Sequence, residues 1–222
     1  MTQSPTLTSI HASARIHPSA QIEDEVAIGP RTAIWHHAHV RAGARLGADC
    51  VVGGGAFIDT AVVIGDRVKI QNRALVYHGV TVEDGVFIGP GAILTNDRFP
   101  RAITSTGDLA TADDWTIGPI RLRAGCSIGA GAVVVAGTEV GAYATVGAGA
   151  IVTRDVSPNA LVVGNPAKRI GWMCACGQRL VDEHGKPANA IPTGALVLSC
   201  SSCDRSYTYV PEDERVEERR PA

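Results

Sequence analysis

Aliphatic residues recur every six positions along most of this chain. Stepping by six from Ile10 meets Ile16, Ile22, Ile28, Ile34, Val40, Leu46, Val52, Ile58, Ile64, Ile70, Val76, Val82, Ile88 and Leu94 without a miss. A period of six matches neither the 3.6 of an α-helix nor the 2 of a flat strand, so the repeating unit is a short strand plus a corner. Three hexads close one triangular coil of 18 residues, and coils stacked at the strand spacing of about 4.8 Å set each anchor on the one below. Small or β-branched residues precede the anchors by two, as at Ala14, Ala20, Thr32, Ala38, Ala44, Cys50, Ala56 and Ala74. Gly often follows the anchor, as in Ile28-Gly29, Leu46-Gly47 and Ile64-Gly65, where it is expected to relieve strain at the turn. With aromatics at only 5%, the core is one of stacked aliphatics. The fold expected is all-β: a left-handed parallel β-helix over residues 10–156, after an N-terminal arm of residues 1–9.

The register fails once. After Leu94 the next anchors are Leu122, Ile128, Val134, Val140, Val146 and Val152. The 28 residues from Leu94 to Leu122 are no multiple of six, so roughly residues 95–116 leave the coil as a loop. A long loop on a rigid solenoid is where function concentrates. Residues 18 apart lie above one another. Thr60, His78 and Asn96 therefore form one column at the mouth of the loop, and His36, Gly54 and Asn72 form another on a different face. Two faces of one prism cannot meet in one pocket. A threefold assembly would bring one chain's His78 column against its neighbour's Asn72 column.

Composition narrows the function classes. A formal net charge of −2 gives no basic face for nucleic acid or an anionic membrane, and no apolar run is long enough to span a bilayer. The opening MTQSPTLTSI has neither the basic start nor the apolar stretch of a secretory signal, so a cytoplasmic protein is expected. His36, His37 and His39 in IWHHAHV invite a metal reading, but His78 has no second His four or five residues on. Exposed corner residues or subunit contacts account for the cluster equally well.

After Trp172 the pattern changes. Cys174 and Cys176 form a C-x-C-G knuckle and Cys200 and Cys203 a C-x-x-C knuckle, 23 residues apart. Four thiolates on two hairpin tips match a structural zinc ribbon over residues 173–210; iron in a rubredoxin-like site and two disulfides are the alternatives. So small a module would draw much of its folding energy from the metal. Cys50 and Cys126 fall at small inward positions and are expected to be core thiols. The tail over 211–222, PEDERVEERRPA, is charged enough to be expected disordered.

The hexad helix, its ejected loop and the closing VVGNPAKRI of Val162–Ile170, within an exit segment of residues 157–172, resemble the hexapeptide-repeat acyltransferases. The stretch from Lys69 to Ala102, KIQNRALVYHGVTVEDGVFIGPGAILTNDRFPRA, is similar to the N-acetyltransferases of nucleotide-linked 3-amino sugars, of dTDP and UDP types. The resemblance implies a homotrimer with its site between subunits, moving acetyl from acetyl-CoA to a sugar amine. His78, the one His placed next to the loop, suits a general base beside Asn96, although the close relatives tend to carry an acidic residue in its place. A mechanism in which the departing thiolate takes the proton is then the alternative. Gln71, Asn72, Asp97, Arg98 and Arg101 are the expected substrate contacts, the arginines serving a diphosphate or the sugar pocket, or else pairing with Asp97 or Asp108. Main-chain amides around Ala130, Gly131, Ala148 and Gly149 would hold the pantetheine arm, and Lys168 and Arg169 the CoA phosphates. An acetyltransferase for another amine or hydroxyl, and a non-catalytic scaffold, are the competing functions.

Overall fold

The computed structural model describes residues 8–188, 196–210 and 215–219. Two-residue strands end on the anchors, and every third strand pairs in parallel: Ala27↔Arg45 and Ile28↔Leu46 on one face, Lys69↔Phe87 on the second, Leu75↔Ile93 on the third. The three sheets hold seven, nine and seven strands, parallel except for the last of the nine, and wind into the left-handed β-helix that the hexad requires. Inside lie the aliphatic columns: Val40, Val52, Ile58, Val76, Ile88, Leu94, Leu122, Ile128 and Val134 are fully buried. Burying each such side chain contributes about 1.5–3 kcal/mol against chain entropy. Ile10, in the first coil, has no coil beneath it among the described residues and is 44% exposed.

The corners divide the work of glycine differently from the sequence expectation. The left-handed backbone falls three residues after most anchors, at Arg31, His37, Asp49, Arg67 and Arg73 as well as at glycines. The glycines directly after anchors instead permit close stacking: a Cβ on Gly47 would lie 2.6 Å from the Gly65 carbonyl oxygen. Their role is room for the neighbouring coil, not relief of strain.

Where the register breaks, Val80 pairs with Ile120, 40 residues on instead of 18. The excursion is thus 22 residues, the length the sequence indicates. Its ends are tied by the Gly118 N–H to the Asn96 carbonyl at 2.9 Å, and its tip folds back with Ile103 bridged to Leu109. Beyond Val152, Ala160–Val163 adds a further parallel rung against Thr145 and Val146, and Lys168–Trp172 returns antiparallel to it.

The C-terminal module is an antiparallel sheet of Val197–Ser199, Ser206–Val210 and Arg215–Glu218. Within the tail expected to be disordered, Arg215–Glu218 therefore forms a strand, while 211–214 and 220–222 lie outside the described residues. Val216 is buried while Arg215, Glu217 and Glu218 remain exposed, so the charged composition is that of an edge strand with one inward residue. Among the described residues no helix is long and apolar enough to cross a membrane.

Candidate functional site

The His78 column is built on a buried carboxylate that sequence reasoning missed. Asp59, only 9% exposed, follows the anchor Ile58 and sits between Glu23, Arg41 and the His78 corner. Its Oδ1 accepts from the Thr60 N–H at 2.7 Å and from Arg41 Nη1 at 3.1 Å, and its Oδ2 accepts from the His78 N–H at 3.1 Å. Arg41 in turn meets Glu23, whose carboxylate accepts from the Ala42 N–H and from His39 Nε2. Those bonds, with Arg41 beside them, hold the Glu23 carboxyl below its ordinary range. Glu23, Arg41 and Asp59 are spaced by 18, so the signal was in the sequence, one position before the column that was read.

His78 Nδ1 lies 2.6 Å from the Thr60 carbonyl oxygen. A carbonyl only accepts, so Nδ1 carries the proton and Nε2 keeps its lone pair in the neutral ring. Asn96 stands one coil above, two residues past Leu94, which pairs with Val76. The returning end of the loop covers the same corner: a Cβ on Gly79 would meet Ile117 at 2.5 Å. His78 and Asn96 are both half-buried.

In the second column, a Cβ on Gly54 would lie 2.6 Å from His36 Nε2, so only Gly lets the His36 ring rest there. The Gly54 N–H donates to Asn72 Oδ1 at 2.9 Å, which leaves Asn72 its amide NH2 for other partners. Asn72 is exposed and Gln71 half-buried on the same corner. His36 and His37 are exposed corner residues with ring centroids 5.7 Å apart, while His39 pairs with Glu23.

Further along this column the amides divide into two kinds. The N–H groups of Gly131 and Gly149 are spent on the Pro90 and Ala130 carbonyls at 2.9 and 2.8 Å. Those of Ala130 and Ala148 have no hydrogen-bond acceptor among the described residues, although the equivalent amides of Ala48 and Gly54 are capped by Asp66 and Asn72. Both alanines are exposed. The column thus presents two available donors on an open edge, from the alanines and not the glycines.

The loop encloses a cavity of about 330 Å³ lined by Asp97, Phe99, Arg101, Thr104 and Trp115 among others. Neither arginine of the loop pairs with Asp97 or Asp108. Arg98 reaches back to the Ala136 and Thr153 carbonyls, each at 3.5 Å, and Arg101 donates to the Pro100 carbonyl. Asp97 accepts from the Phe99 N–H, and Asp108 from Thr106. A second cavity, of about 380 Å³, closes the end of the prism and is lined by Thr153, Arg154, Asp155, Lys168 and Arg169 among others.

Cys174, Cys176, Cys200 and Cys203 bring their sulfurs within 4.8 Å of one another. Cys174 and Cys203, and Cys176 and Cys200, are each 3.5 Å apart, too far for disulfides. Four thiolates at about 2.3 Å around a tetrahedral metal would stand roughly 3.8 Å apart, so this donor set fits zinc. Burial would raise the Cys174 thiol, but the Cys176 N–H, the Tyr207 hydroxyl and the neighbouring sulfurs bring it down to about 6. Cys50 and Cys126 lie in the prism core, where burial pushes Cys126 up to about 12.

Residues 119–154 match the model for the hexapeptide repeat of succinyl-transferase, and residues 5–106 match that for the GMPPB C-terminal domain. In these two stretches the chain is similar to hexapeptide-repeat acyltransferases. It is 46% identical over 59 residues to the dTDP-3-amino-3,6-dideoxy-α-D-galactopyranose 3-N-acetyltransferase of Aneurinibacillus thermoaerophilus, covering 27% of this chain and 31% of that protein. Solved structures similar to it include the acetyltransferase domain of PglB from Neisseria gonorrhoeae, at 27% identity and a TM-score of 0.42 over 74% of this chain and 58% of that one. A hexapeptide-repeat acetyltransferase of Vibrio cholerae, complexed with acetyl coenzyme A, aligns at 25% identity and a TM-score of 0.49 over 59% of this chain and 70% of that one. The chain thus spans less than a third of the curated relative's length.

Proposed function

We propose that this chain transfers acetyl from acetyl-CoA to the amine of a nucleotide-linked 3-amino sugar, of the dTDP or UDP type, in a homotrimer. The observation that carries the reading is the 2.6 Å contact of His78 Nδ1 with the Thr60 carbonyl, which leaves Nε2 as a base at the mouth of the one ejected loop. The name of the Aneurinibacillus relative supports the acceptor class.

The third sheet faces outward with Phe57, Leu75, Ile93, Val133 and Ile151, an apolar column half-exposed in the single chain. The corner of Asn72, Ala130 and Ala148 borders this sheet on one edge and that of His78 and Asn96 on the other. Packing three such faces about an axis sets each His78 edge against a neighbour's Asn72 edge and forms a groove between them. The Ala130 and Ala148 N–H groups then hold pantetheine carbonyls, Lys168 and Arg169 meet the CoA phosphates, and the loop with Asp97 and Arg101 takes the sugar nucleotide. Arg98, held on the prism's carbonyls, anchors the loop.

In the reaction the amine nitrogen attacks the thioester carbon, with Asn72, Gln71 and Asn96 as amide contacts. The C–N bond forms, His78 Nε2 takes the amine proton, and the C–S bond breaks to release CoA thiolate, which recovers that proton. Cys174, Cys176, Cys200 and Cys203 hold a structural zinc as thiolates, and cysteines that form no disulfide suit a reducing cytoplasm.

The test is thiol release from acetyl-CoA with dTDP- and UDP-linked 3-amino sugars against a panel of other amines and alcohols. Turnover with the sugar nucleotides supports the reading. Turnover only with other acceptors makes this a different acetyltransferase, and no turnover with no acetyl-CoA binding makes it a scaffold. His78→Ala should lower kcat by about 100-fold with KM for acetyl-CoA little changed; near-normal turnover removes the base assignment.

A further inference from the structure

The strand that carries Lys168 and Arg169 runs directly into the cysteine module. Trp172 ends that strand, and Cys174 follows two residues later. The Arg169 guanidinium lies over the Trp172 ring, 4.6 Å from its centroid. Trp172 is 1% exposed and meets Tyr209 of the module at 5.8 Å between centroids. Tyr207, on the same strand as Tyr209, places its hydroxyl 3.4 Å from Cys174 Sγ and accepts the Ala175 N–H at 3.1 Å. The ring beneath Arg169 is therefore clamped by residues attached to the four-sulfur cluster.

Arg169 in turn lines the cavity of about 380 Å³ at the end of the prism, together with Arg154 and Lys168. One carboxylate, Asp155, lines it as well and accepts the Glu139 N–H at 2.8 Å. Arg154 belongs to the His78 column, two residues past the anchor Val152, three coils above His78. At the strand spacing that is roughly 14 Å, so in the trimer proposed above a ligand arm lying between this column and a neighbour's Ala130 and Ala148 amides delivers its far end to this cationic cavity.

We propose that the metal-loaded cysteine module is a positioning element for the donor: through Trp172 it fixes Arg169 at a cavity that takes the phosphorylated nucleotide end of CoA. This rests on the acyl-CoA reading above. Metal in the module and affinity for the donor are then linked, because the closed module packs Tyr209 on the Trp172 ring that the guanidinium covers.

The experiment is calorimetric titration of the full chain with CoA and with 3′-dephospho-CoA. It compares the zinc-loaded protein, the chelator-stripped protein and the stripped protein given zinc ion again. Stripping should weaken CoA binding about tenfold, with zinc restoring it. Arg169→Ala should cost about as much, and stripping Arg169→Ala should add less than twofold, since both remove one interaction. Trp172→Leu should match Arg169→Ala, and Trp172→Phe, which keeps an aromatic face, should stay within about threefold of the native affinity. If the stripped protein unfolds, the zinc-loaded Arg169→Ala, Trp172→Phe and Trp172→Leu series decides alone. Equal CoA affinity with and without zinc, or losses from Arg169→Ala and Trp172→Leu that multiply in the double variant, overturns the linkage while leaving the donor reading intact. Failure of the native protein to bind CoA at all overturns both.

Discussion

At the scale of single residues the decisive group is Asp59, a buried carboxylate whose oxygens are all assigned. Its two oxygens hold the Thr60 and His78 N–H groups and Arg41, and the Thr60 carbonyl then fixes the tautomer of His78. Asp59→Asn places an amide NH2 where one of these donors must bond, and it leaves Arg41 half-paired. Loss of such a buried hydrogen bond costs about 1–3 kcal/mol. The expected outcome is a roughly tenfold fall in kcat, with acetyl-CoA affinity unchanged, as the His78 backbone shifts. Steady-state kinetics beside calorimetric CoA binding measures this; a variant with native kcat would show that Asp59 serves stability alone.

At the scale of elements, the loop separates from the coil that bears it. Excising residues 97–118 restores the 18-residue spacing between Val80 and its partner strand and leaves every anchor pair intact. The shortened chain should keep its β-type circular dichroism and bind CoA within about threefold, because Ala130, Ala148 and Lys168 lie outside the loop. Acetylation of the sugar nucleotide should fall by more than about 100-fold, since the cavity lined by Asp97, Arg101 and Trp115 is gone. A second element-level outcome concerns close stacking. Gly47→Ala drives a methyl to 2.6 Å from the Gly65 carbonyl, and overpacking of this kind costs about 1–3 kcal/mol. Differential scanning calorimetry should show a Tm lower by several degrees; an unchanged Tm would mean that the coils can spread.

Periodicity explains what the sequence revealed at this scale. A solenoid converts sequence distance into spatial distance with no free parameter, so the columns of His36, Gly54 and Asn72 and the 22-residue excursion were readable before any coordinates. Side-chain partners were not, because a column fixes which Cα atoms stack and leaves rotamers open. Arg98 illustrates this: its loop position admits a phosphate, an acid or the carbonyls of Ala136 and Thr153, and the third is what forms. The Arg215–Glu218 strand was hidden for another reason, since one buried Val216 among charges carries almost no hydrophobic pattern.

At the scale of the whole molecule, the question is whether one chain completes a site. His78 and Asn72 stand on opposite edges of the same sheet, separated by the apolar column of Phe57, Leu75, Ile93 and Val133, so within one prism they do not converge. A shared site makes a quantitative demand on mixed assemblies. His78→Ala disables one edge of a chain, and Ala148→Trp, at an exposed corner, blocks the other. Each variant alone should be inactive by about 100-fold. In trimers co-assembled from equal amounts, a site is whole wherever an Ala148→Trp chain supplies His78 and the adjoining His78→Ala chain supplies the open amide edge. Random assembly makes that about one site in four, so mixing by co-expression should recover roughly a quarter of the native rate. A site contained in one chain recovers nothing, because no chain in the mixture has both edges. Leu75→Arg on the apolar face separates the remaining possibility: it should yield monomers by light scattering and abolish turnover, while retention of activity in the monomer would confine the site to a single prism.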